Sequence, residues 1–289
     1  MKRMLMIAVA GAALALSARG GVKVEKDFAY LPAERAEKAD LYLPDNLAAG
    51  APAPVLLWIH GGGFTGGDKA QKREQNIGTN LAAHGYVVLS INYLLQQKGG
   101  PLAWPQNLQD CKTAVRWLRA NAARLHLDPE RIAVAGGSAG GHLASMVALT
   151  KPEDGFDPKG PYGEFSCAVQ AGMDFYGPAD LTTWQNVSML GKSKTEDMEL
   201  YRKASPVTYA RKDSPPMLIL HGTADKTVDI KQSEALNAAL QKVGADVEFV
   251  RIPGAPHTFD LQPKQQDLRP LVLAFLEKHL CGKRAVPAK

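Results

Sequence analysis

Short, nearly continuous apolar runs recur along the chain, at Val55 to Ile59, Val87 to Ile91, Ile132 to Ala135, Val169 to Phe175, Met217 to Leu220 and Val247 to Ile252. Runs of this length, rich in large aliphatic residues, suit strands buried on both faces of a parallel sheet. Two earlier stretches, Val22 to Tyr30 and Ala39 to Leu43, predict leading strands, the second closed by Pro44. Between the runs the spacing changes to three and four. From Pro105, a favourable first helical residue, apolar positions fall at Leu108, Cys111, Val115, Leu118, Ala122 and Leu125, which form one helix face. Leu236, Ala239, Leu240 and Val243 repeat the pattern before Gly244, and Val272, Phe275, Leu276 and Leu280 repeat it before Gly282. Alternation of strand and helix from Val55 onward predicts an α/β architecture, a doubly wound and mostly parallel sheet with helices on both faces. The expected organisation is a single domain over residues 21–289. Two irregular stretches, Lys151 to Ser166 and Leu181 to Pro215, are expected as small cap excursions over the top of that sheet.

The first residues follow a different pattern. Lys2 and Arg3 precede an apolar run from Met4 to Leu16 that ends in Ser17 and Ala18. This matches a cleaved secretory signal over residues 1–20, with an uncleaved anchor as the alternative, and the run is too short for a comfortable membrane span. A secreted or periplasmic location is therefore expected. No cysteine lies near the expected cleavage point, so a lipid anchor has no attachment residue. Cys111, Cys167 and Cys281 are the three cysteines, too few for a disulfide framework, though they leave room for one bridge. Cys111 lies on the helix stripe and is expected to be buried.

At 289 residues, 45% hydrophobic and 22% charged, the composition is that of an ordinary globular enzyme. The net charge of +5 carries little information about partners. Lys2, Arg3, Lys283, Arg284 and Lys289 sit in acid-free tails, and without them the body is close to neutral. No nucleic-acid partner is expected.

The chemistry is concentrated in three places. In Arg131-Ile-Ala-Val-Ala-Gly136-Gly137-Ser138-Ala139-Gly140-Gly141-His142-Leu143, a strand runs into G-x-S-x-G and then into an apolar helix start. That order exposes a serine hydroxyl on a sharp strand-to-helix turn, where the helix N-terminus favours developing negative charge. Ser138 is the candidate nucleophile. His60-Gly61-Gly62-Gly63-Phe64 follows the Val55 to Ile59 strand, and glycines there let backbone N–H groups approach a substrate oxygen. With Ala139, they form the candidate oxyanion hole. The same glycines satisfy G-x-G-x-x-G from Gly61 to Gly66, but the next strand ends at Ser90-Ile91-Asn92 without the acid a dinucleotide site requires. A Walker-type phosphate loop also fails, because Ala70 follows Lys69.

The third place is Met217-Leu-Ile-Leu-His-Gly-Thr-Ala-Asp225-Lys-Thr-Val228, a buried strand followed by a loop acid; His257 lies beyond the next strand. His257 is the candidate general base and Asp225 the residue that fixes its tautomer, with Asp229 as the rival acid. The remaining histidines are scattered without H-E-x-x-H or paired-cysteine spacing, so no metal and no cofactor is implied. His60 and His221 are expected to brace loops. Asp174 and Asp180, which flank the turn through Pro178, are expected to act as turn acceptors. Phe64, Tyr176 and Trp184 are candidate pocket aromatics.

Taken together, these segments resemble the α/β-hydrolase superfamily, and within it the small bacterial esterases of the hormone-sensitive-lipase-like and feruloyl/acetyl-xylan-esterase-like groups. The resemblance extends from about Ala39 to Leu280. It rests on H-G-G-G-F, on the run from Asp110 through Trp117-Leu-Arg-Ala-Asn121 and Asp128-Pro-Glu-Arg-Ile132 to G-G-S-A-G-G-H-L-A, and on H-G-T-A-D-x-x-V. It implies the α/β-hydrolase fold, a Ser138–His257–Asp225 triad, and an oxyanion hole at Gly61 and Gly62. Asn92-Tyr93-Leu94-Leu95 stands where the lipase-like group has Asp-Tyr-Arg-Leu. That departure, with His142 after the double glycine, favours the xylan-esterase-like side. The implied activity is a serine carboxylic ester hydrolase acting on small-molecule or carbohydrate esters. Amide hydrolysis by the same triad, of the arylformamidase or peptidase kind, is the alternative, and a non-catalytic binding protein would lack the complete triad. The excursions are rich in Lys, Asp, Glu, Gly and Pro and hold no long amphipathic lid, so short acyl groups are expected.

One expectation can be tested directly on native material. Mature protein recovered from the periplasm or medium should begin between Ser17 and Gly21. Intact-mass measurement on fractionated cells checks this, and a full-length species confined to the cytoplasm would refute it.

Overall fold

The computed structural model describes residues 21–47 and 51–282. The expected signal segment, residues 1–20, lies outside them. Eight strands form one sheet in the order β1-β2-β4-β3-β5-β6-β7-β8. β1 (Val22–Phe28) and β2 (Ala39–Pro44) run antiparallel at one edge. β3 (Ala53–Ile59), β4 (Val87–Ile91), β5 (Leu127–Gly137), β6 (Ala171–Phe175), β7 (Met217–Gly222) and β8 (Val247–Ile252) are mutually parallel. These are the eight strands the apolar runs predict, in the mostly parallel arrangement of the α/β-hydrolase fold.

Period-two packing explains why the central runs are apolar throughout. Val55, Leu57 and Ile59 of β3 enter one core, while Leu56 and Trp58 enter the other. The first core holds residues of α2 (Gln106–Ala120), α3 (Ala139–Leu149) and α5 (Lys231–Val243). The second holds residues of α1 (Lys72–Ala82) and α6 (Arg269–Leu276). A strand covered on both faces cannot show the apolar–polar alternation of a half-exposed one.

Several details depart from the expectations. β5 is longer than Ile132 to Ala135, because Leu127 pairs with Ala53 of β3 before a register shift. α2 ends at Ala120, and Ala122 and Leu125 reach the core from the turns that follow. α1 had no strong signal: its buried apolar stripe consists only of Ile77, Leu81 and Ala82. The three cysteines are all unpaired, and Cys111 is fully buried.

The larger correction concerns Lys151 to Ser166. This stretch does not cover the top of the sheet. α3 carries the chain from the C-terminal end of β5 back to the strand N-termini, and β6 must start there. The intervening segment therefore packs along α2, with Asp157 paired to Lys112 at 2.8 Å and the Ser166 carbonyl accepting from Arg119 Nη1 at 2.8 Å. Leu181 to Pro215 is different, since it follows the C-terminal end of β6. It supplies the cap: short 3-10 turns and α4 (Met198–Lys203). Tyr201 pins this cap by accepting the Val187 amide at 3.0 Å and donating to the Lys192 carbonyl at 2.9 Å.

One very close backbone approach lies where α3 meets β3. A Cβ on Gly140 would stand 2.0 Å from the Ile59 carbonyl oxygen, a clash between two backbones that no side-chain rotation relieves. Gly140→Ala should therefore lower the unfolding free energy by about 1–3 kcal/mol or more. Urea denaturation monitored by circular dichroism measures this, and wild-type stability would show that the two turns are not packed this tightly.

Candidate active site

The turn after β5 places Ser138 at φ 57° and ψ −122°, a strained conformation for a residue with a side chain. Neighbouring strands hold it there. The Ser138 amide donates to the Phe175 carbonyl at 2.8 Å, and the Tyr176 amide donates to the Leu220 carbonyl at 2.8 Å. The ends of β5, β6 and β7 are thus tied in series beneath the site.

Ser138 Oγ lies 3.0 Å from His257 Nε2, and His257 Nδ1 lies 2.6 Å from Asp225 Oδ2. A carboxylate oxygen on Nδ1 requires the proton there, which leaves the Nε2 lone pair facing the hydroxyl. The other Asp225 oxygen accepts the Thr227 and Val228 amides at 2.8 and 3.0 Å. Burial pushes the Asp225 carboxyl up, but the bonds from His257 and these amides outweigh it and hold it below the usual carboxylate range. Asp229 is exposed and accepts the Lys231 amide at 2.9 Å at the start of α5. The structure thus brings together Ser138, His257 and Asp225, and leaves Asp229 aside.

His221 and His60 brace this arrangement from behind. His221 lies 2.7 Å from Ser233 Oγ, 3.0 Å from the Val228 carbonyl and 3.2 Å from Asp225 Oδ2, and burial lowers its pKa. His60 donates to the Gly61 carbonyl at 2.7 Å and stacks on Tyr93, whose hydroxyl donates to the His60 carbonyl at 3.0 Å. Asp174 and Asp180 are turn acceptors, taking the Gly177 amide at 2.8 Å and the Thr182 amide at 3.0 Å. Burial pushes the Asp174 carboxyl up to about 7. His142 donates to the Pro178 carbonyl at 2.9 Å, and burial drops its pKa to about 4, so it is neutral. Asn92 accepts the Lys69 amide at 2.7 Å and donates to Asp68 at 2.9 Å, fastening the loop after the glycines to β4.

A cavity of about 500 Å³ opens beside Ser138 and His257. Gly62, Gly63 and Ala139 line it, whereas Gly61 lies behind, against the Gly137 carbonyl and Ser138. Gly62 has φ 129°, and a Cβ there would meet the Gly66 carbonyl at 2.0 Å. Phe64 and Trp184 line the cavity; Tyr176 does not. Tyr176 is fully buried, packs edge-on to His257 at 4.9 Å between centroids, and donates to the Phe259 carbonyl at 2.9 Å.

Arg73 also lines the cavity, and no sequence signal marks it. Its segment, Lys69 to Asn76, is polar and looks like an exposed surface, and nothing in the sequence separates Arg73 from Lys72 beside it. A larger cavity, about 630 Å³, lies at the N-terminal ends of the strands among Arg131, Lys151, Asp157 and Gln170, and holds no member of the triad. Among the described residues no group of His, Cys, Asp and Glu is arranged to hold a metal, and no helix is long and apolar enough to cross a membrane.

Comparison with known proteins agrees with this architecture. The BD-FAE family profile matches residues 39–240, which takes in β2 to α5 and, with them, Ser138 and Asp225. The chain belongs to the BD-FAE family. The chain is also similar to Esterase LipQ and the probable carboxylic ester hydrolase LipM, both of Mycobacterium tuberculosis. Each is 33% identical over 81% of this chain. The match covers 57% of LipQ and 56% of LipM, so the chain spans a little over half the length of these relatives. Among solved structures, a truncated carbohydrate esterase from gut microbiota superposes with TM-score 0.80 at 25% identity, covering 90% of this chain and 97% of that one. Thermogutta terrifontis esterase 2 gives TM-score 0.73 at 26% identity, covering 93% and 97%.

The two candidate acids can be separated by covalent labelling. Asp225→Asn should slow fluorophosphonate labelling of Ser138 by on the order of 10⁴-fold, because the wrong imidazole tautomer is then favoured. Asp229→Asn should label at close to the wild-type rate. Labelling followed by gel fluorescence measures both, and the reverse ranking would reassign the acid.

Proposed function

We propose that this chain is a serine carboxylic ester hydrolase cleaving short-acyl esters, acetyl or feruloyl esters of carbohydrate among them, through an acyl-enzyme on Ser138. The observation that carries the reading is the aligned Ser138–His257–Asp225 relay opening onto a cavity edged by the glycine turn and the start of α3. In the proposed reaction His257 Nε2 takes the Ser138 proton as Oγ bonds to the ester carbonyl carbon. Backbone N–H groups of the glycine turn after β3 and of Ala139 stabilise the oxyanion. Collapse breaks the bond to the alcohol oxygen, which leaves with the proton from His257. Water, deprotonated by the same nitrogen, then attacks the acyl-enzyme and releases the acid and free Ser138.

The cavity wall supports small acyl groups. Phe64, Pro178, Val187 and Val228 give it apolar surface, while Asn186, Ser188, Thr227 and Thr258 make its rim polar. Each methylene buried is worth about 0.8 kcal/mol, and a long chain would need a trough longer than this to gain it. Trp184 offers a half-buried ring to the flat face of a sugar. The esterase names of LipQ and LipM, the carbohydrate esterase and the propionate- and butyrate-bound structures of Thermogutta terrifontis esterase 2 support the same reading. Export by the leader at residues 1–20 would place the enzyme where polymeric carbohydrate esters are accessible.

Ser138→Ala and His257→Ala should each remove on the order of 10⁴-fold or more of kcat/KM without unfolding the protein, and the double variant should be little worse than either. Wild-type enzyme should prefer 4-nitrophenyl acetate and butyrate to palmitate, and should favour 4-nitrophenyl acetate over 4-nitroacetanilide. Palmitate turned over as efficiently as acetate would make the enzyme a lipase, and preference for the anilide would make it an amide hydrolase.

A further inference from the structure

The residues lining the Ser138 cavity include no aspartate or glutamate, and Arg73 is their one permanently charged side chain. Its guanidinium is held on its inner side. Glu74 Oε1 accepts from Nε at 2.9 Å and from Nη2 at 2.5 Å, and the Tyr176 hydroxyl accepts from Nη1 at 3.2 Å. Those bonds use three of the five N–H groups a guanidinium carries, leaving one on each terminal nitrogen. Glu74 is fully buried, and Tyr176 is fully buried and bonded to the Phe259 backbone. Neither can swing out to cover the remaining donors.

The position of the group matters as much as its bonding. A Cβ on Gly61 would lie 3.3 Å from Arg73 Nη2, and a Cβ on Gly137 would lie 3.4 Å from Nη1. The guanidinium therefore rests against the two turns that flank the nucleophile. With Glu74 behind it and the cavity in front, the ion pair is a dipole whose positive end faces the substrate. The remaining N–H groups, one on each terminal nitrogen, can meet the two oxygens of a carboxylate, and a side chain immobilised in advance loses little entropy on binding one.

We infer that Arg73 anchors a carboxylate carried by the substrate, so that the site selects esters whose acyl group or whose sugar bears an acid close to the scissile bond. The inference rests on the esterase reading above. It goes beyond that reading by naming an anionic substrate class and the residue that recognises it. A brace that only tied the oxyanion turn to the His257 loop would affect charged and neutral esters alike.

Two matched substrate pairs test it. One pair places the acid on the acyl side: 4-nitrophenyl hydrogen succinate against 4-nitrophenyl pentanoate. The other places it on the sugar: an acetylated methyl glucuronoside against the same acetylated methyl glucoside. Wild-type kcat/KM should favour the anionic member of at least one pair by about tenfold, and the pair that responds tells which side carries the acid. Raising the salt concentration should shrink the ratio. Arg73→Gln should bring it close to one, and Arg73→Lys should keep part of it. Because Arg73→Gln leaves Glu74 buried beside a neutral partner, the double variant Arg73→Gln/Glu74→Gln is measured too, each with a thermal melt. If wild type cleaves neutral esters yet shows no anionic preference in either pair, the inference is wrong and the esterase reading stands. A preference that persists in both glutamine variants also overturns it. Failure of wild type to cleave any ester, neutral or charged, would defeat the esterase reading and the inference together.

Discussion

The contact between the start of α3 and the end of β3 is the constraint on which the rest of the site depends. Gly140 meets the Ile59 and His60 carbonyls so closely that no side chain fits between them. Only at that separation can the chain reverse from β5 into α3 through a residue at φ 57° and present Ser138 above the sheet. The strain is borne by bonds to neighbouring strands, chiefly from the Ser138 amide to β6. The same approach brings the glycine turn after β3 alongside Ser138. A looser packing would cost stability and would also separate the serine from the donors expected to serve it.

Around this turn the polar groups divide into those that are open and those that are closed. Ser138, His257 and Arg73 border the cavity, whereas Asp225, His221, His60, Tyr176 and Glu74 stand behind them. The closed groups have few freedoms left. Asp225 is committed to His257 through one oxygen and to two amides through the other. Tyr176 joins the loop carrying His257 to the helix carrying Arg73. Buried polar groups of this kind are costly unless satisfied, and satisfied networks hold their members in one geometry. Such a network lets loops contribute a site with the positional accuracy of strands.

The cap is built differently. It has no long helix, and it is fastened at a few points: Tyr201 at its middle, and Gln232 at the head of α5. Gln232 accepts the Ala179 and Asp180 amides at 2.8 Å and donates to Thr183 Oγ1 at 2.8 Å. These attachments bring Trp184, Asn186 and Ser188 over the cavity, with the Ser188 hydroxyl 3.5 Å from the Gly63 carbonyl.

By itself the sequence determined the eight strands, the helices with strong apolar stripes, and the order Ser138, Asp225, His257, which geometry then brought within hydrogen-bonding distance. These are legible because they are local. A strand buried on both faces must be largely apolar, and a strained strand-to-helix turn must have glycines around its serine. Asp225 was already preferred to Asp229 on its place after the strand, and the fold adds that it is the Asp225 carboxyl the imidazole reaches. The course of Lys151 to Ser166 needed the tertiary structure, because its composition suits a cap as well as a flank. It depends on where α3 ends and β6 begins. Arg73 was illegible for a related reason. Its polar neighbours read as surface, and its place in the cavity wall arises only when α1 packs against turns from β3 and β5. Local conformation is written in side-chain periodicity and backbone permissiveness, but which distant groups share a cavity is decided by how the layers close on one another.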